Sequence, residues 1–66
     1  MDKIQIKFKL QNSDFSTNQF FEILIDALNN KDDEIISWCG FYDKIPVPSK
    51  FKNKLFKAKI NYQSKN

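Results

Sequence analysis

Lys3-Ile4-Gln5-Ile6-Lys7-Phe8-Lys9-Leu10 alternates polar and apolar residues without a fault, and the reading of this stretch decides the fold. Ile4, Ile6, Phe8 and Leu10 fall on one face of an extended chain, with Lys3, Gln5, Lys7 and Lys9 on the other. A period of two is the pattern of a half-buried strand, so a strand is expected over 3–10. Residues 55–62 repeat the pattern, with Phe56, Ala58, Ile60 and Tyr62 inward and Lys57, Lys59 and Asn61 outward. A helix begun at Ser49 gathers Phe51, Leu55, Ala58 and Tyr62 but leaves Phe56 and Ile60 on the far side. The strand period therefore matches better, with one helical turn allowed over 49–54.

Between these two stretches lies Ile35-Ile36-Ser37-Trp38-Cys39-Gly40-Phe41-Tyr42. Its β-branched and aromatic content favours a third strand over 35–42. The competing reading is a helix capped by Asp32 or Asp33 and stopped by Gly40, with Ile35, Trp38 and Cys39 inward. One helix is marked clearly. Ser16 is an N-cap candidate with Gln19 three residues on, and Phe15 and Phe20 form a hydrophobic staple across that cap. The helix is expected over about 17–29, ended by a left-handed Asn29 or Asn30. Its apolar side chains, Phe20, Phe21, Ile23, Leu24, Ile25, Ala27 and Leu28, cover an arc of roughly 200°. That is wider than packing on one sheet requires. Phe21 and Ile25, at the arc's edge, are expected to meet the C-terminal segment or a second chain.

Lys44-Ile45-Pro46-Val47-Pro48-Ser49 must be extended, because each proline fixes its own φ and pushes its predecessor out of the helical region. It is a connector or a short edge at 45–47. The expected architecture is α/β of the α+β type: a two-layer domain over residues 1–66, with the 17–29 helix on three to four strands at 3–10, 35–42, 55–62 and the optional 45–47.

In 66 residues there is no histidine, no arginine, one glycine (Gly40) and one cysteine (Cys39). General acid–base chemistry near neutral pH usually calls on His, and a Cys nucleophile wants a cationic partner. Phosphate-cradling loops need several glycines. No catalytic residue, cofactor or metal is therefore expected, and the chain reads as a non-enzyme. Cys39 reads as a small buried apolar residue. Lys31-Asp32-Asp33-Glu34 lacks the spacing of a calcium loop and reads as a solvated turn. Neither a signal-peptide apolar region nor a bilayer-length apolar run is present, so a cytoplasmic protein with no membrane partner is expected. A domain this small needs a supplement to its core. With disulfide and zinc excluded, association remains: a homodimer or another partner.

Charge is strongly segregated. Residues 1–10 carry a net +2, residues 11–43 a net −6, and residues 44–66 a net +7 from lysine alone. Lysine without arginine, alongside abundant Asn, Ile and Phe, fits an AT-rich genome such as that of a phage or mobile element. It also weakens the case for specific base readout, which relies mostly on Arg. A helix can cover only one face of the expected sheet, so apolar residues of 35–42 remain on the open face. Trp38, Tyr42 and Phe41 flanked by Lys7, Lys9, Lys57 and Lys59 form the expected partner-binding site. A protein partner, bound stoichiometrically by a regulator or inhibitor, is the first expectation. The alternative is single-stranded nucleic acid, with bases stacked on Trp38 and Tyr42 and phosphates tracked by lysine.

Overall fold

The computed structural model describes residues 2–40 and 44–64, and over them the chain is helical with no strand. The helices are α1 (Lys3–Gln11), α2 (Thr17–Asn29), α3 (Asp33–Trp38) and α4 (Ser49–Gln63). The α/β expectation is therefore corrected. Residues 3–10 lie in α1, 35–38 in α3 and 55–62 in α4, while 45–47 is irregular connector. Residues 41–42 of the expected third strand lie outside the described residues.

The physical reason is visible in how alternation maps onto a helix. At about 100° per residue, positions two apart point to opposite sides, whereas positions four apart share one. In α1, Ile6 and Leu10 turn toward the core, where Leu10 is buried, while Ile4 and Phe8 turn outward and are 78% and 68% exposed. Local bonds favour the helix despite those two exposed side chains. Asp2 caps it through a full capping box: the Gln5 backbone N–H donates to Asp2 Oδ1 at 2.9 Å, and the Asp2 backbone N–H donates to Gln5 Oε1 at 3.3 Å. Each end of a helix leaves four backbone groups to satisfy, and this box closes two of them.

The C-terminus of α1 is closed by a left-handed residue, Ser13, at φ 53°. The Asp14 N–H reaches back to the Lys9 carbonyl at 2.9 Å, and the Ser13 N–H to that of Leu10 at 3.4 Å. This is the paired bonding of a Schellman turn. α2 ends the same way on Lys31, at φ 54°, with Asp32 N–H on Ala27 and Lys31 N–H on Leu28. The left-handed residue is thus Lys31 rather than Asn29 or Asn30. The start of α2 is the expected one: Ser16 Oγ accepts from the Gln19 N–H at 3.1 Å, and the Phe15 and Phe20 rings lie 5.2 Å apart.

Asp32 closes α2 and opens α3, its carboxylate accepting from the Ile35 N–H at 3.2 Å. In α3, Ile35 and Cys39 are buried and Trp38 is half-buried. α2 packs against α3 on one side and α4 on the other, and α1 packs on α3. Phe20, Phe21, Leu24 and Cys39 are the largest fully buried side chains, joined by Leu28, Phe51, Leu55 and Ala58. Phe21 meets Phe51 of α4 with ring centroids 6.2 Å apart. The wide apolar arc of α2 is therefore covered by the C-terminal segment. Ile45 and Val47 of the connector pack half-buried against the same core. The C-terminal end of α4 is tied down by three polar contacts. Tyr62 Oη donates to Asp33 Oδ1, Asn61 Nδ2 to Asn29 Oδ1 at 3.2 Å, and Lys31 Nζ to the Ser64 carbonyl at 2.9 Å.

Two stability outcomes follow. Phe21→Ala removes a ring with no exposure and is expected to cost about 3–5 kcal/mol, comparable to the whole stability of a domain this small. Thermal denaturation followed by circular dichroism should then show no cooperative transition. Ser13→Gly relieves a left-handed non-glycine residue and is expected to stabilise by about 0.5–1 kcal/mol, raising Tm by about 2–8 °C.

Candidate functional site

The residues expected to form one open face are divided among separate helices. Trp38 ends α3 and Lys7 lies on α1, with Lys7 Nζ 5.7 Å from the centroid of the Trp38 ring. This cation–π pair, with Lys3, Ile4 and Glu34, lines a shallow cleft of about 240 Å³. Lys9 is half-buried on α1. Lys57 and Lys59 belong to α4, which packs on α2, and so they do not flank Trp38 as sheet neighbours. Phe41 and Tyr42 lie outside the described residues. Of the described members of the expected face, Lys7 and Trp38 come together, whereas Lys57 and Lys59 lie on a different helix, because the sheet that was expected to align them is absent among the described residues.

The carboxylates of 32–34, expected in a solvated turn, lie at the cap and first turn of α3 and serve helix ends and pairs. Asp32 caps α3, Asp33 accepts from Tyr62, and Glu34 accepts from Lys3 Nζ at 2.7 Å, with Asp32 3.2 Å from the same ammonium. The Ile35 N–H, aided by Lys3, holds the Asp32 carboxyl below its usual range. The bond to Glu34 raises the Lys3 ammonium above its own. The hydrogen bond to Asp33 likewise raises the Tyr62 phenol. Among the described residues no group of three or more His, Cys, Asp or Glu is placed to hold a metal ion. No helix among them is long and apolar enough to cross a membrane. Cys39 is fully buried, and burial pushes its thiol up to about 11.

The feature that strand-based reading missed lies on the far side of α4. Phe56 and Ile60, one turn apart, are 64% and 53% exposed. Counted at about 100° per residue, they point opposite the Phe51, Leu55 and Ala58 face that packs on α2. Lys52 lies on one flank of the pair and Lys57 on the other, and no carboxylate side chain occurs from residue 44 to the end of the sequence. The signal was present in the sequence as the observation that a helix from Ser49 leaves these two residues on its outer side.

A second surface has the opposite character. α1, α2 and α3 together enclose an open groove of about 460 Å³ lined by Ile6, Ile23 and Ile35, with Glu22, Asp26 and Gln19 at its edge. Glu22 and Asp26, one turn apart on α2, make no ion pair with any described residue. No family model, curated protein or solved structure matches the chain.

Cys39 offers a direct check on the packing beneath α3. A thiol held near 11 has a thiolate fraction of about one in a thousand at pH 8, and thiolate is the reactive form. The native protein is expected to resist a disulfide reagent at that pH over minutes and to react fully in denaturant. Rapid labelling of native protein would contradict the buried position.

Proposed function

We propose that the protein is a small non-catalytic binding module that associates stoichiometrically with a protein partner through the outer face of α4, in the manner of a regulator or inhibitor. One observation carries this reading: Phe56 and Ile60 stand exposed on a helix whose ionisable side chains, apart from Tyr62, are all lysine. Burying each side chain in a partner is worth about 1.5–3 kcal/mol, and apolar anchors inside a charged rim are the usual anatomy of a protein interface. The complementary partner surface is an apolar hollow edged by carboxylates. A helix built only for phosphates has no use for an aliphatic side chain at its centre, since Ile60 cannot stack on a base. This favours protein over nucleic acid.

The test is capture from the native host with tagged protein, with and without nuclease, followed by binding measurements on the purified pair. One protein retained at fixed stoichiometry after nuclease is expected. Phe56→Ala or Ile60→Ala should each weaken it at least about ten-fold, while circular dichroism stays unchanged. Retention that disappears with nuclease, with affinity falling steeply in salt, would assign α4 to a nucleic acid instead. Binding indifferent to both substitutions would remove α4 as the interface.

A further inference from the structure

We infer that the chain carries the complement of its own binding face, and that the groove among α1, α2 and α3 receives the outer face of α4 from a second copy. The inference rests on the reading of that face as a docking surface and names an occupant for it. Each side supplies what the other lacks. The groove offers an apolar lining of Ile6, Ile23 and Ile35 and an edge of two carboxylates, Glu22 and Asp26. The helix offers Phe56 and Ile60 as apolar projections, with Lys52 and Lys57 on the flanks. At about 460 Å³ the groove lies within the range of pockets that enclose whole ligands, roughly 300–1,000 Å³.

The two surfaces are different patches of one molecule, and in one copy they cannot meet, because α4 is held against α2 by its Phe51, Leu55 and Ala58 face. Association is therefore head-to-tail. A contact of that kind leaves a free face at one end and a free groove at the other, and grows into a ring or an open filament. Self-assembly and partner binding compete for the same side of α4, so the free partner-binding form is the dilute one.

Sedimentation and light scattering of the full chain test this. At about 1 mM protein and low salt, where even a millimolar Kd fills about two-fifths of the sites, a weight-average mass of at least twice 7.9 kDa is expected. It should fall toward 7.9 kDa on dilution or in high salt. Two variants separate the surfaces. F56E/I60E spoils the face and spares the groove, while E22K/D26K spoils the groove and spares the face. All four positions are exposed, and circular dichroism verifies folding. The milder E22Q/D26Q repeats the test without charge reversal and should weaken assembly at least several-fold.

Each double variant is expected to be monomeric alone, and their equimolar mixture to form a heterodimer of twice the chain mass. A monomeric wild type at 1 mM overturns the inference. So does a mixture that stays monomeric, or a groove variant that assembles as the wild type does. A monomeric wild type that still captures a host protein through Phe56 defeats only this inference. Assembly of the expected kind without Phe56-dependent capture of a foreign protein defeats only the proposed partner.

Discussion

Helix α2 carries apolar side chains around more of its circumference than one neighbour can shield, and the rest of the molecule is arranged to meet that demand. α3 follows after a turn so tight that Asp32 belongs to both helices. α4 returns through the proline-rich connector to cover the other flank, where Phe21 meets Phe51. A chain of 66 residues has few side chains for a core, and here Phe20 and Phe21 lie at its centre with no exposure at all. With a single cysteine and so no intrachain disulfide, stability draws on this concentration of large rings, on capped helix ends, and on the Tyr62, Asn61 and Lys31 contacts that hold the end of α4.

The course of α2 was legible because its signals were local and redundant: a cap, a staple and a periodicity that no strand can share. Its surplus of apolar surface also pointed correctly to the C-terminal segment. The flanking segments were misread for an equally physical reason. In a short window, strict alternation satisfies a strand fully, yet a helix satisfies it in halves, with Ile6 and Leu10 inward and Ile4 and Phe8 outward. Pattern counting penalises the outward half, although a scattered exposed apolar side chain is ordinary on a protein surface. The decisive local evidence in α1, the Asp2 and Gln5 capping box, occupies the first residues of the chain, where alternation drew attention to side chains and away from the backbone ends. Over the described part of 35–42 the helical alternative capped by Asp32 is the one adopted, with α3 ending at Trp38, because the Schellman turn that ends α2 delivers that carboxylate to the start of α3.

The candidate face on α4 was not legible under a strand reading, which turned Phe56 and Ile60 inward, whereas on a helix both are exposed. The expected grouping of Trp38 with Lys57 and Lys59 needed strands to place distant segments side by side. Among the described residues the Lys7 and Trp38 pair is brought together, because α1 and α3 pack on each other. The segregation of charge along the sequence has a structural sense as well. The acidic middle divides between carboxylates that cap and pair around α3 and those, Glu22 and Asp26, that look outward from α2. Of the basic C-terminal third, Lys50, Lys52, Lys54, Lys57 and Lys59 lie on α4.

The shared carboxylate at the α2–α3 elbow has a kinetic corollary. Because Asp32 supplies a backbone N–H to the end of one helix and a side-chain acceptor to the start of the next, neither arm can fray there without releasing the other. Slow amide-hydrogen exchange should therefore be centred on this joint, and the earliest openings should begin at the outer termini of α1 and α4. The two faces proposed for recognition lie away from this joint, Glu22 and Asp26 along α2 and Phe56 and Ile60 along α4, so docking proceeds without opening it.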